Sequence, residues 1–120
     1  MSGNGQGDTT IWHNPRCSKS RQAKVLLEEL GVDAEVREYL KEPPTRAELE
    51  GLLGALGLDD PRAIVRTGED AYKQLGLADA SADELLDALV DNPILLQRPI
   101  VVRDGRAVIG RPPEDVRQLF

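Results

Sequence analysis

The sequence holds one cysteine, Cys17, and one histidine, His13, among 120 residues. A lone cysteine cannot form an internal disulfide, so this thiol is either an inert core residue or a chemical tool used in a reducing compartment. Four aromatic residues, Trp12, Tyr39, Tyr72 and Phe120, give no stacking platform for single-stranded nucleic acid. The 15 Lys and Arg are outnumbered by 21 Asp and Glu, for a formal charge of −6. Because the basic residues stand mostly singly, a general nucleic-acid binder, which needs clustered cations, is excluded. The uncharged apolar runs, such as Ile94 to Leu96 and Ile100 to Val102, fall far short of the ~20 residues that span a bilayer, so no membrane role is expected. The acidic residues show no ligand-like grouping, and with a single His a metal site is not expected either. Residues 1–8 are rich in Gly, Ser, Asn and Gln, without the basic and apolar regions of a secretory signal. They read as a flexible tail on a cytoplasmic protein, and residues 9–120 as one domain. No apolar interface stripe stands out, so a monomer is expected.

What is present has a clear order. Thr9-Thr10-Ile11-Trp12 has the β-branched and aromatic content of a strand and stops at the turn signal Asn14-Pro15. From Ser18 to Leu30, the residues Ala23, Leu26, Leu27 and Leu30 recur at helical spacing, and Gly31 supplies the stop. Ala34 to Tyr39 then alternates like a strand with one wet face. Strand, helix, strand reads as a right-handed parallel βαβ unit. Residues 44–92 look all-helical, with capping boxes at Thr45/Glu48 and Ser81/Glu84. Two strands follow, Ile100 to Val102 and Ala107 to Ile109, joined at Asp104-Gly105, a strong hairpin signal. A short acidic helix closes the chain after Pro112-Pro113. The order βαβ, helical insertion, ββα predicts an α/β, thioredoxin-like fold with a four-stranded mixed sheet.

The chemistry concentrates in His13-Asn14-Pro15-Arg16-Cys17-Ser18-Lys19-Ser20-Arg21, at the turn from strand to helix. Cys17 is placed where unpaired backbone N–H groups and the positive end of the helix dipole favour a thiolate. The same cradle, with Arg16, Lys19, Arg21 and His13 adding positive charge, suits a tetrahedral oxyanion. The opposite reading makes Cys17 a small buried hydrophobe and its neighbours a solvated surface. Ser20 stands where thiol oxidoreductases of this topology often carry a second cysteine, so a modified Cys17 needs an external thiol. Ser20 either hydrogen-bonds the thiolate or is an ordinary first-turn serine. His13 is either a partner for Cys17 or a strand-end histidine satisfied by the backbone. Arg66, Arg98 and Arg111 are conspicuous too. Arg98-Pro99 opens the strand that this fold brings against the Cys17 loop, and a cis peptide there is a plausible means of aiming Arg98.

Taken together, His13-Asn14-Pro15-x-Cys17-x-x-Ser20-Arg21, Tyr39-Leu40-x-x-Pro43-Pro44, Tyr72-x-x-Leu75-Gly76-Leu77, Asn92-Pro93-Ile94-Leu95, Arg98-Pro99-Ile100-Val101-Val102 and Gly110-Arg111-Pro112 resemble the ArsC-type, glutaredoxin-linked arsenate reductases. The resemblance implies a thioredoxin-like fold, Cys17 as nucleophile, and Arg66, Arg98 and Arg111 as a triad around the oxyanion, with His13 and Ser20 tuning the thiolate. It implies reduction of arsenate to arsenite through an arsenylated Cys17, with no bound cofactor. Glutathione or another small thiol would be the co-substrate, and a glutaredoxin-like protein the reductant. Two kinds of relative offer alternatives: ArsC-like thiol reductases of other substrates, and Spx-like regulators that bind RNA polymerase. The regulators usually use a Cys-x-x-Cys pair that Ser20 does not complete.

Overall fold

The computed structural model describes residues 9–120; the tail expected over residues 1–8 lies outside them. The chain divides into two compact units: residues up to Glu42 together with Arg98–Phe120, and Pro43–Gln97.

The first unit is built on four strands, β1 (Thr9–His13), β2 (Glu35–Glu38), β3 (Ile100–Arg103) and β4 (Arg106–Ile109). Their order is β2-β1-β3-β4, with β1 parallel to β2 and the other pairs antiparallel. This is the expected α/β, thioredoxin-like sheet. Helix α1 (Ser18–Glu29) makes the crossover from β1 to β2. Its Ala23, Leu26 and Leu27 meet Ile11 and Val101 from the sheet, with Val32, Val116 and Leu119 completing the core.

Gly31, at φ 76°, ends α1 in the left-handed region that glycine adopts without strain. Its N–H bonds the Glu28 carbonyl and the Val32 N–H bonds the Leu27 carbonyl, at 3.0 and 2.9 Å. These are the paired bonds of a Schellman stop. The stop takes Leu30 out of the core face on which its spacing puts it, leaving it 36% exposed. Asp104 and Gly105, at φ 50° and 80°, form the tight β3-β4 turn that the Asp-Gly pair signals. The C-terminal helix over Pro113–Leu119 is of the tighter 3-10 type.

Gly110 follows β4 and donates its N–H to the Pro99 carbonyl at 2.8 Å. A Cβ at this position would sit 2.9 Å from Pro99 Cγ and 3.1 Å from Val116 Cγ1. Neither the proline ring nor the fully buried valine yields easily, so Gly110→Ala is expected to destabilise the fold by about 1–3 kcal/mol, read from urea denaturation.

The second unit is helical: α2 (Arg46–Leu56), α3 (Asp70–Gln74) and α4 (Ala82–Asp91), with 3-10 turns at Pro61–Ile64, Leu77–Asp79 and Pro93–Leu95. Both capping boxes form as the sequence predicts, from Thr45 with Glu48 and from Ser81 with Glu84. Arg46 reaches from α2 to Asp83 and Asp87 of α4. Arg62 donates to the Tyr72 hydroxyl and to the carbonyls of Leu77 and Ala80, which ties the 61–64 turn to the 70–80 segment. A single bridge joins Val65 and Leu96. Among the described residues, no helix is long and apolar enough to cross a membrane.

Candidate active site

Asn14 shapes the loop that carries the sulfur. Its backbone carbonyl accepts the Cys17 N–H at 2.9 Å, closing a turn whose second residue is Pro15. Its Oδ1 accepts the Arg16 N–H, also at 2.9 Å, and its own N–H donates to Ser20 Oγ at 3.4 Å. Asn-Pro sequences favour such turns because the short side chain bonds the backbone two residues on while proline presets φ. The result delivers Cys17 to the N-cap of α1 in extended conformation, φ −93° and ψ 122°.

Partly buried at that position, Cys17 has its thiol brought down to about 7, from an ordinary value of 9.0. Burial is the largest influence and raises the value; it is outweighed by the Ser20 N–H, the Arg98 guanidinium and the Lys19 N–H together. The thiol closes no capping hydrogen bond of its own. What favours the charged form is the set of first-turn N–H groups and one guanidinium, as expected of an activated cysteine.

Arg98 is buried to 8% exposure, immediately before β3, and the Arg98-Pro99 peptide is cis. Arg111, exposed at the end of β4, donates from Nη1 to the Arg98 carbonyl at 3.0 Å. Within the first unit, then, the hairpin brings Arg98 to the sulfur and Arg111 to the backbone of Arg98. Arg66 belongs to the second unit. There it is half-buried, paired through Nε with Glu69 at 3.4 Å, and its N–H bonds the Leu95 carbonyl at 2.7 Å.

The remaining sequence-predicted residues divide. Ser20 is fully buried and serves the sulfur through its backbone N–H, while its hydroxyl accepts from Asn14. Arg16 and Arg21 are exposed, and Arg21 Nη1 bonds the Pro15 carbonyl at 2.8 Å. For His13, burial, then Lys24, pushes the pKa below the ordinary 6.5 against the pull of Glu38, which disfavours a charged ring. Its buried Nδ1 makes no hydrogen bond among the described residues.

Two site residues escaped the sequence reading as participants, Asn14 and Tyr39. The Asn-Pro turn signal could have revealed the first. Tyr39 lies just beyond β2, fully buried, with its hydroxyl in hydrogen-bond geometry with no described residue. Burial raises its pKa, while Arg98 and Asn14 nearby oppose the rise and the Cys17 thiolate adds to it. Removing a poorly satisfied buried hydroxyl without changing shape costs little. Tyr39→Phe is accordingly expected to leave the thermal midpoint unchanged or higher, whereas Tyr39→Ala should lose about 3–5 kcal/mol to the cavity. Thermal melts of the two variants check both signs.

Comparison with known proteins agrees with this architecture. The ArsC family matches residues 12–119. The uncharacterized protein YfgD of Escherichia coli (strain K12) is 53% identical over 111 residues, covering 91% of this chain and 93% of YfgD. An arsenate reductase of Neisseria meningitidis serogroup A is 50% identical over 112 residues, covering 92% of this chain and 96% of its own length. A solved structure of an arsenate reductase from Vibrio cholerae superposes with a TM-score of 0.91 at 45% identity, covering 93% of this chain and 97% of that one. With the thiol at the head of α1, Arg98 beside it and nearly the whole domain matched, the chain belongs to the ArsC family.

Proposed function

We propose that the protein reduces arsenate to arsenite, with Cys17 as the nucleophile. The observation that carries this reading is the placement of the chain's one sulfur at a helix start, with the buried Arg98 guanidinium beside it. Arsenate is a tetrahedral oxyanion, and a helix N-terminus with a guanidinium provides both the donors and the charge to hold one. Arsenate reductases at about half identity support the substrate.

In the proposed mechanism, the Cys17 thiolate attacks arsenic and one arsenate oxygen, protonated, leaves as water. Arg98 and Arg111 offset the charge on the remaining oxygens, and the first-turn N–H groups face the same centre. The family resemblance adds Arg66 to this set. A small thiol such as glutathione then attacks the Cys17 sulfur. The electron pair of the S–As bond stays on arsenic so that arsenite departs, and Cys17 is left in a mixed disulfide with the small thiol. A thiol of a glutaredoxin-like protein then attacks the small thiol's sulfur, that S–S bond breaks and Cys17 leaves as the thiolate. Overall, arsenate and two thiols give arsenite, one disulfide and water. His13, whose pKa burial lowers, is placed next to the Cys17 loop in the sequence for a role in proton movement. Phosphate has nearly the same shape and charge as arsenate, so selection rests on the reactivity of arsenic toward the thiolate.

The test is arsenite release from arsenate with glutathione and a glutaredoxin supplied, followed by speciation of the arsenic. Turnover with arsenate, and inertness toward phosphate, is the expected result. A protein that binds RNA polymerase but releases no arsenite would overturn the assignment in favour of a regulator.

A further inference from the structure

The turn that follows β2 buries one side chain. The Glu38 carbonyl accepts the N–H groups of Lys41 and Glu42, at 3.0 and 2.9 Å, and Arg37 Nε donates to the Glu42 carbonyl at 3.0 Å. Closed on itself in this way, the turn leaves Leu40 and Lys41 exposed and puts Tyr39 fully inside. Two strand registers then fix what Tyr39 meets. β1 and β2 are parallel with His13 opposite Glu38, which continues to Asn14 opposite Tyr39. β1 and β3 are antiparallel with Trp12 opposite Ile100, which continues to Asn14 opposite Arg98. Tyr39, Asn14 and Arg98 therefore stand in one row across the end of the sheet that carries the Cys17 loop. Backbones two strands apart lie ~10 Å from each other, a gap that a tyrosine and an arginine reaching inward close over a short asparagine. In keeping with this row, the Arg98 guanidinium and the Asn14 side chain both act on the Tyr39 hydroxyl.

That hydroxyl is buried and makes no hydrogen bond among the described residues. Phenylalanine would fill the same space without leaving a polar atom unmatched, and nearly all buried polar atoms in folded proteins are matched. The steps proposed for Cys17 and the arginines give the hydroxyl nothing to do. Hydrogen bonds that serve a reaction are often long or poorly aligned in the empty site and tighten once the reactant is bound. Arg98 is the group in the row that has two tasks, to favour the Cys17 thiolate and to meet the oxygens of an anion. A guanidinium carries five N–H donors in a rigid fork, so one edge can face an anion while another donor faces a phenolic oxygen.

We propose that Tyr39 is a positioning residue: its hydroxyl oxygen accepts a guanidinium N–H when Arg98 turns to a tetrahedral oxyanion at Cys17, and so holds the fork on the anion. The inference rests on the reading of Cys17 and Arg98 as an oxyanion site. Tyr39 itself touches neither sulfur nor anion and acts through Arg98.

The test uses inorganic phosphate, which has nearly the shape and charge of arsenate and is not reduced. Cys17 is alkylated with iodoacetamide at pH 7 in rising phosphate, with ionic strength held constant by chloride, and the half-protecting concentration is read for the wild type, Tyr39→Phe, Arg98→Ala and the double variant. Tyr39→Phe is expected to raise it ~5-fold, the size of one hydrogen bond, without lowering the thermal midpoint. A hydroxyl that served packing alone would leave the phosphate reading where it was. With Arg98→Ala, whatever protection the first-turn N–H groups still give should be the same with the hydroxyl or without it, because its effect passes through the guanidinium. An unchanged reading in Tyr39→Phe, a further ~5-fold rise when it is added to Arg98→Ala, or no protection of the wild type by phosphate overturns the proposal. Arsenite release is scored separately: its absence beside the expected phosphate readings overturns the proposed function alone, and its presence beside an unchanged Tyr39→Phe reading overturns the role of Tyr39 alone.

Discussion

Cys17→Ser is expected to release no arsenite at any thiol concentration, while folding as the wild type does. The chain has no second sulfur to substitute for the first, and a serine hydroxyl does not ionise near neutral pH, so the loss should reach the background of the assay. The fold should survive because residue 17 is the N-cap of α1, a position at which serine is preferred. The cysteine closes no capping bond there, whereas a serine hydroxyl can accept from the first-turn N–H groups, worth about 0.5–1 kcal/mol. Stability then acquires a pH signature. The wild-type thiol is depressed to about 7 in the folded state against 9.0 ordinarily, so the folded state gains from the thiolate fully above about pH 9 and loses that gain as pH falls through about 7. Urea midpoints at pH 6 and pH 9 should therefore favour the serine variant at the lower pH and move toward the wild type at the higher. A variant that still released arsenite would falsify Cys17 as the nucleophile.

Local features of this fold were legible in the sequence because short-range rules decide them. The two capping boxes, the Asp104-Gly105 turn and the stop at Gly31 each depend on a few adjacent residues, and each forms. The sequence was less direct where neighbours in the chain are not neighbours in space. Leu30 keeps the helical spacing of Ala23 and Leu27, but the stop at Gly31 turns it outward. Arg16 and Arg21 flank the cysteine in the chain, yet one is exposed to solvent and the other is drawn to the Pro15 carbonyl; the strong guanidinium influence on the sulfur comes from Arg98, 81 residues on. His13 shows the complementary limit, since a residue's position can be read from the sequence while its charge depends on burial. Tyr39 was visible only as part of a family pattern. Its place among Asn14, Arg98 and Cys17 follows from β2 pairing in parallel with β1, with His13 opposite Glu38, which carries the chain after β2 to the same end of the sheet as the Cys17 loop.

The dependence on Arg98 leads to the other large effect. Arg98→Ala should raise the Cys17 midpoint by about one unit, the lower end of what an adjacent opposite charge contributes, because burial then acts on the thiol with less opposition. Near pH 7 about half of the wild-type thiol is ionised, so a shift of that size leaves roughly a tenth as thiolate. Iodoacetamide alkylation followed from pH 5 to 10 measures this without substrate. The wild-type rate should rise with a midpoint near 7, the variant's with a higher one, and the two should converge above the variant's midpoint, where both sulfurs are ionised. Arsenate turnover should fall further than alkylation does, by about 10²–10³-fold, the cost typical of deleting a donor aimed at a developing oxyanion. Arg98→Lys separates the two contributions: it keeps the charge that favours the thiolate but loses the planar fork, so its alkylation midpoint should stay near the wild type while turnover remains depressed. Were the alanine variant to show the wild-type midpoint, the guanidinium would have no part in ionising the sulfur, and the first-turn N–H groups of Lys19 and Ser20 would have to account for the whole depression.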